Sequence, residues 1–217
     1  MDALPFRTPD EIAAAVPRVA EHLETGGLLA YPTETVYGLG SRALEADVAS
    51  LARLKGRKRD KPFLVLVGSL GMAEAYGLGF SASARALADR FWPGPLTLVL
   101  AGGEGKLPDA LRGPEGGIAV RWTSHGGIAT LLRAMNAPIT STSANRPGNP
   151  TAPGVSAIYE AFAAAVDDGT LLLLDGGTLG NESPSTVVDC TRPVARLIRE
   201  GALPLSELRG AVGSLTT

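Results

Sequence analysis

Helical and strand-like patterns of apolar residues alternate along the chain. Residues 8–25 have helical spacing, with Thr8 or Asp10 as the N-cap and Gly26-Gly27 as the stop. Short apolar runs bounded by glycine, proline or polar residues are typical of buried strands. Further helices are predicted at 45–55, 82–91, 126–135 and 155–165, and strands at 28–31, 63–67, 96–101, 117–122, 137–141, 171–174, 186–190 and 195–199. The glycine-rich stretches 102–117 and 176–180 are predicted loops, so the whole pattern predicts an α/β domain with mixed strand order.

Polar residues follow the first predicted strand, Leu28–Tyr31, after a single proline. Pro32 ends this strand because proline has no N–H for a sheet, and Thr33, Glu34 and Thr35 then leave the sheet at the strand end. Open α/β folds bind ligands at such strand ends. The pattern favours a ligand site, with hydroxyl groups that only satisfy a turn as the alternative.

A second segment, residues 138–145, repeats this arrangement in the other half of the chain. It begins as an apolar strand and ends in hydroxyl groups and the amide of Asn145. Because these groups both donate and accept hydrogen bonds, they suit a ligand rich in carboxylate, phosphate and ribose oxygens. A turn rich in serine and asparagine is the alternative.

The basic segment, residues 55–61, holds five cations in seven residues of a chain whose net charge is only −2. It lies between a predicted helix and a predicted strand, so its charges are expected to be held in place. Arginine offers a bidentate fork and lysine a compact charge, which together suit a triphosphate. The chain has no P-loop motif. A solvated surface or a nucleic-acid patch is the alternative interpretation.

Composition narrows the classes of protein. The 217 residues fit one domain, and 45% apolar with 19% charged residues exclude a disordered chain. Aromatic residues make up only 5%, which argues against a base-stacking platform for single-stranded nucleic acid. Cys190 stands alone, and His22 and His125 lack ligand-like spacing, so no zinc site is expected. Without a predicted membrane span or signal sequence, the protein is expected in the cytoplasm.

Six short motifs occur in an order and spacing typical of one family. They are Tyr31–Leu39 (YPTETVYGL), the pair Lys55-x-Arg57, Trp92–Thr97 (WPGPLT), Ile118–Arg121, Ser143–Asn145 and Pro184–Asp189. Through these motifs the chain, from about Gly26 to Gly201, resembles the threonylcarbamoyl-AMP synthases, also called YrdC-like or TsaC proteins.

The resemblance implies a fold and an activity. The fold is a single YrdC-like domain over 1–217, a twisted mixed sheet flanked by helices with a positively charged concave groove. Its core covers about 10–201 and a short extension covers 203–217, so a long form with a second C-terminal domain is not expected. The activity is synthesis of threonylcarbamoyl-AMP and pyrophosphate from L-threonine, bicarbonate or CO2, and ATP, with Mg²⁺ held through the ATP phosphates. The product would pass to tRNA threonylcarbamoyl transferase proteins, and contact with tRNA or double-stranded RNA is a further implication.

Residue roles are implied where the motifs match. ATP contacts are implied at Lys55, Arg57, Lys61, Ser143, Asn145, Thr151 and Arg199, of which Lys55 and Arg57 are the implied catalytic residues. Threonine contacts are implied at Thr35, Arg121, Ser141 and Ser185, with Arg121 as the partner of the carboxylate. No residue is assigned to a metal. Glu34 is open between a general base, a helix cap and an organiser of the basic segment. Two positions depart from some relatives: Leu66 replaces a histidine, and Gly117 replaces an ATP-contacting threonine.

Two other classes of function fit parts of the pattern. One is an RNA-binding module that uses the groove for backbone phosphates, for which the basic segment is the local support; a steep salt dependence of RNA affinity would indicate it. The other is a related carbamoyl or nucleotidyl transferase with another acceptor, like the carbamoyl-handling domain of hydrogenase maturation proteins. Dependence on threonine separates this class from the synthase.

Overall fold

The structure, a computed structural model, describes residues 3–56, 61–180 and 183–217. The α-helices in these ranges are α1 Pro9–Glu24, α2 Glu45–Lys55, α3 Leu70–Ala75, α4 Ala82–Phe91, α5 Gly126–Met135, α6 Val155–Asp167 and α7 Leu205–Ala211. The strands are β1 Ala3–Pro5, β2 Leu28–Tyr31, β3 Gly38–Gly40, β4 Leu64–Leu66, β5 Leu78–Gly79, β6 Leu96–Gly102, β7 Ile118–Arg121, β8 Ile139–Ser143, β9 Leu171–Asp175, β10 Thr186–Asp189, β11 Ala195–Arg199 and β12 Leu215–Thr216. A short 3-10 helix occupies Asp109–Leu111.

The strands form a mixed sheet, as the alternating pattern predicts. Its order is β1-β9-β2-β3-β8-β4-β7-β6-β10-β11-β12, and β5 pairs with β6 outside this path. The sheet contains both parallel pairs, such as β4 with β7, and antiparallel pairs, such as β3 with β8. Because β8 lies between β3 and β4, it brings the second polar segment beside the first.

The apolar run of β2 is buried on both faces of the sheet. Leu28 and Ala30 belong to the larger hydrophobic core, whereas Leu29 and Tyr31 belong to a second core under α1 and α5. Successive residues of a strand point to opposite faces, so a continuous apolar run is what a strand covered on both faces requires. This two-sided burial fixes the register of the strand that carries the first polar segment.

The helices begin and end close to the predicted residues. Thr8 caps α1 in a capping box, since its hydroxyl accepts a hydrogen bond from the Glu11 amide while the Glu11 carboxylate accepts one from the Thr8 amide. The predicted bounds of α2, α4 and α5 match the structure, and α6 continues two residues further, to Asp167. In the part of the chain that the structure describes, no helix is long and apolar enough to cross a membrane.

Several predictions of local structure were wrong. The strand predicted at 137–141 is β8, Ile139–Ser143, so the hydroxyl groups lie within the strand and not beyond its end. Thr and Ser are tolerated there because β8 is paired on both sides. The predictions missed β1, β3, β5, β12, α3 and α7, all seven residues or shorter. Such short elements rest on tertiary pairing and leave little periodicity in the sequence.

Tyr31 connects β2 to β8 through a buried hydrogen bond. Its hydroxyl donates to the Thr140 carbonyl at 3.1 Å, and burial raises the pKa of this hydroxyl above its ordinary value. The neutral hydroxyl therefore remains a donor at all physiological pH values. This contact ties the strand before the first polar segment to the strand that holds the second.

We expect Tyr31→Phe to lower the free energy of unfolding by about 1–3 kcal/mol, because it leaves a buried carbonyl without this donor. Urea denaturation measures the change. Tyr159→Phe is the control, since the Tyr159 hydroxyl bonds the Asp167 carboxylate in an exposed position. Equal losses in the two variants would contradict a special contribution from Tyr31.

Candidate active site

A cavity of about 270 Å³ lies where the loop after β2 meets β7, β8 and the start of β10. We call it the central cavity. Among its lining residues are six that the sequence predicted: Thr35, Arg121, Ser141, Ser143, Ser185 and Arg199. The cavity therefore brings together the four residues implied to bind threonine and two of the residues implied to bind ATP.

Arg121, the last residue of β7, is a buried cation in this cavity, with 4% of its surface exposed. Its Nε donates to the Gly94 carbonyl and its Nη1 to the Thr35 hydroxyl, both at 3.1 Å. Its Nη2 lies 2.7 Å from Glu34 Oε1 in an ion pair. The guanidinium is thus held on three sides, and its charge borders the cavity.

Glu34 is held as an ionised carboxylate. It accepts hydrogen bonds from the Thr123 hydroxyl and, at 3.0 Å, from the Ser124 amide. Burial raises the pKa of Glu34, but the charge of Arg121 and the bonds from Thr123 and Ser124 outweigh burial and lower that pKa to about 2. A carboxylate with so low a pKa is a weak base, so Glu34 positions Arg121 and the start of α5 and is poorly suited to remove a proton.

The two threonines of the first polar segment have different roles. The Thr33 hydroxyl accepts from the amides of Thr35 and Val36, each at 3.2 Å, and closes a turn. The Thr35 hydroxyl accepts from Arg121 and lines the central cavity. Thr33 therefore satisfies a turn, which was the alternative interpretation of this segment. Thr35 contacts the buried cation Arg121, as a ligand site at this segment requires.

A pair of buried hydroxyl groups also lines the cavity. The Oγ1 of Thr97, on β6, lies 2.8 Å from the Oγ of Ser185. The Ser185 carbonyl accepts a hydrogen bond from Arg199 Nη2 at 2.7 Å. Burial lowers the pKa of Arg199, and the positive charge of Arg121 lowers it further. Because two guanidinium groups border one cavity, an anion between them would be stabilised.

Lys55 lies in the helix predicted at 45–55, where the basic segment begins. It is the last residue of α2 and only 4% exposed. Its Nζ donates to the Ser143 carbonyl and to the Asn145 carbonyl and Oδ1, the latter two at 2.5 and 2.6 Å. With Ser143 Oγ at 3.4 Å as a fourth acceptor, these partners occupy the three donors of the ammonium group. Lys55 therefore anchors the loop after β8, and a phosphate would have to replace one of these acceptors to bind it.

Two further pockets continue the central cavity. The lysine pocket, about 310 Å³, is lined by Lys55, Lys61, Ser143 and Asn145 among others. The outer pocket, about 350 Å³, is lined by Asn145 and Thr151 among others. Ser143 borders both the central cavity and the lysine pocket, and Asn145 borders both the lysine pocket and the outer pocket. Arg57, the second implied catalytic residue, lies outside the described residues.

Two contributors to the site were missed by the sequence analysis. Gly94, within the WPGPLT motif, supplies the carbonyl that holds Arg121 Nε. In the same motif, Trp92 Nε1 donates to the Leu96 carbonyl at 2.7 Å. Thr97 lines the cavity, and its signal was a hydroxyl residue inside the otherwise apolar run of β6.

Gly117, where the resemblance implied a threonine in some relatives, is packed too tightly for a side chain. A Cβ at this position would lie 2.6 Å from Thr191 Cγ2 and 2.6 Å from Val99 Cγ1. Leu66, where the resemblance implied a histidine in some relatives, is buried in the second core. Among the residues that the structure describes, no group of three or more His, Cys, Asp or Glu side chains is placed to hold a metal ion.

The fold and the cavity define an α/β protein whose polar site holds a buried arginine beside pockets rich in hydroxyl and lysine groups. The Sua5/YciO/YrdC family model, described as "Telomere recombination", matches residues 21–201. The chain belongs to this family.

Its relatives carry a consistent name. The chain is 36% identical to threonylcarbamoyl-AMP synthase of Pyrococcus abyssi over 197 residues, 90% of this chain and 56% of the relative. It is 38% identical to the enzyme of the same name from Chromohalobacter salexigens over 183 residues, 84% and 94% of the two chains. The crystal structure of P. abyssi Sua5 complexed with L-threonine superposes with a TM-score of 0.86 at 33% identity and covers 100% of this chain. The chain spans 62% of that Sua5 chain.

The Glu34–Arg121 pair predicts a dependence of stability on pH. The pKa of Glu34 falls from 4.5 to about 2 on folding, so its contribution is fully present above pH 4.5 and is lost as the pH falls to about 2. This contribution is on the order of 3 kcal/mol. We therefore expect Glu34→Gln to lower the free energy of unfolding at pH 7 by that order and to flatten its decline below pH 4.5.

Urea denaturation across this pH range is the measurement. Glu21→Gln is the control, because Glu21 is an exposed carboxylate on α1. If Glu34→Gln and Glu21→Gln gave the same pH profile, the ion pair would not contribute as described.

Proposed function

We propose that this protein is a threonylcarbamoyl-AMP synthase, which joins L-threonine, bicarbonate or CO2, and ATP and releases pyrophosphate. The names of its relatives support the proposal, as does its similarity to P. abyssi Sua5, whose crystal structure is a complex with L-threonine. One observation of this chain carries it: the central cavity, with its buried arginine, adjoins the lysine pocket at Ser143. A carboxylate and a triphosphate could bind side by side there.

The central cavity suits the amino acid. Arg121 lines this cavity, and its positive charge would attract the threonine carboxylate. Thr35, Ser141 and Ser185 would supply small polar contacts around the amine and the hydroxyl group. A site built from buried polar groups rejects analogues that leave those groups unpaired, which would give selectivity for a hydroxylated side chain.

The lysine pocket and the outer pocket suit the nucleotide. Lys61, Ser143, Asn145 and Thr151 would contact ATP there, and Lys55 would hold the loop that carries two of them. Arg57 keeps its implied role at the phosphates on the strength of the Lys-x-Arg motif. Mg²⁺, where used, would neutralise charge on the triphosphate through phosphate oxygens and water.

The reaction needs two bond-forming steps. The threonine amine forms an N–C bond with the carbon of CO2 and loses a proton, which gives a carbamate. A carbamate oxygen then forms a bond to the α-phosphorus while the bond from that phosphorus to the bridging oxygen breaks, and pyrophosphate leaves. Two anions must meet in this second step, so the charges of Arg121 and Arg199 on one cavity would lower its barrier.

The product would pass to proteins that transfer its threonylcarbamoyl group to adenosine in tRNA, which gives threonylcarbamoyladenosine. Transient contact with tRNA fits the same proposal. Because the substrates and the downstream step are those of RNA modification in the cytoplasm, we propose that the protein is located there.

We expect pyrophosphate release from ATP and bicarbonate to require L-threonine. The purified protein is incubated with ATP, Mg²⁺ and bicarbonate, single amino acids are added in turn, and pyrophosphate is measured. L-2-Aminobutyrate, which lacks only the hydroxyl group, should release at most about a hundredth as much, because the buried hydroxyl groups would be left unpaired.

Equal release with L-alanine or without any amino acid would reject the synthase. Release that depends on another carbamoyl acceptor would favour the related transferase class. A protein that releases no pyrophosphate but binds RNA with a steep salt dependence would favour the RNA-binding module.

A further inference from the structure

Arg146 lines the outer pocket and connects three elements of the fold, and the function above gives it no role. It follows Asn145 in the loop after β8, which we call the 143–149 loop. Its side chain crosses to α2 and α6. Nη1 donates to the Leu54 carbonyl at 3.1 Å, and Nε donates to the Ala161 carbonyl at 3.0 Å. The guanidinium carbon also lies 4.6 Å from the centre of the Phe162 ring.

The contact with Leu54 stabilises the end of α2. The last four carbonyls of a helix have no partner within the helix, and Leu54 belongs to this final turn. A cation at a helix C-terminus also interacts favourably with the helix dipole. Since Leu54 is next to Lys55, Arg146 holds the backbone from which the Lys55 side chain extends.

The contact with α6 coincides with a break in that helix. Phe162 has φ −133° and ψ 26°, which is not helical, and Ala161 precedes it. Helices bend where a side chain inserts into the ladder of backbone hydrogen bonds. The Nε of Arg146 donates to a carbonyl at this bend, and its guanidinium packs on the Phe162 ring, so α6 is shaped to receive it.

The turn in this loop is closed by backbone atoms. The Asn149 amide donates to the Arg146 carbonyl at 3.1 Å, and Gly148 between them has φ +86°. Pro147 followed by a residue with positive φ is the pattern of a type II turn. An Arg146 variant can therefore still form the turn, but it loses the connections to α2 and α6 that keep the loop from opening.

We propose that Arg146 is a positioning residue that fastens the 143–149 loop to α2 and α6. Lys55, at the end of α2, binds the Ser143 and Asn145 carbonyls, and Arg146 binds the Leu54 carbonyl of α2 and the Ala161 carbonyl of α6. The two cations fix the loop whose Ser143 and Asn145 border the lysine pocket. This inference rests on the proposed function in one respect, that the lysine pocket receives ATP.

Hydrogen exchange tests the fastening without any activity. The Asn145 and Asn149 amides donate within the loop and report on its order. In Arg146→Ala we expect both to exchange about tenfold faster, with the amides of α1 unchanged, because the loss of charged hydrogen bonds lets the loop open locally. Arg53→Ala is the matched control, since Arg53 is an exposed arginine on α2 whose Nη2 bonds Ser50 on its own helix. In Arg53→Ala, the backbone amides of Asn145 and Asn149 should exchange at the wild-type rate.

Steady-state kinetics test the consequence for the nucleotide. Arg146→Ala should raise the KM for ATP about tenfold and change the KM for threonine less than twofold. Arg146→Lys keeps the charge but loses the planar fork that reaches two carbonyls, so it should restore the KM for ATP only in part.

The outcomes separate this inference from the proposed function. Three results would overturn the role of Arg146. In Arg146→Ala, the two loop amides could exchange at the wild-type rate, or amides throughout the chain could exchange faster. The KM values for ATP and threonine could also rise equally. If the wild type releases no threonine-dependent pyrophosphate, the proposed function fails, and the exchange measurement alone decides whether Arg146 fastens the loop.

Discussion

The ion pair between Arg121 and Glu34 is the interaction on which the central cavity depends. A buried guanidinium is costly unless charge and hydrogen bonds compensate it. Glu34 supplies the charge, and Thr35 and Gly94 supply acceptors from two different loops. The cation thus holds the loop after β2 and the turn before β6 in place. Burial is also what would make Arg121 selective, because an anionic ligand there competes with little water.

A second cation plays a comparable role at the other end of the site. Lys55 gives its donors to the 143–149 loop, as Arg121 gives two of its own to the loops around the central cavity. In both places a buried positive charge organises backbone that borders a ligand pocket. Ser143 connects the two places, because it accepts from Lys55 and lines the central cavity. This arrangement would set a carboxylate and a triphosphate at a fixed separation, which is what a reaction between two bound anions requires.

Much of the fold and of the site could be predicted from the sequence. The apolar periods predicted α2, α4 and α5 to the residue, and the family resemblance grouped Thr35, Arg121, Ser141 and Ser185, which line one cavity. Contacts between side chains and distant backbone could not be predicted. The Gly94 carbonyl and the Thr97 hydroxyl join the site only through tertiary packing, and Lys55 turns inward only because Ser143 and Asn145 come beside α2. The one-domain assignment and the net charge of the groove remain predictions.

The central claim is that Arg121 fixes the carboxylate of the amino acid. Calorimetric titration of L-threonine into the wild type and Arg121→Lys tests it most directly, because lysine keeps the charge but cannot bind Gly94, Thr35 and a carboxylate with one planar group. We predict that threonine affinity falls at least about tenfold, while the affinity for ATP changes less than about twofold. An unchanged threonine affinity in a folded Arg121→Lys variant would contradict the account.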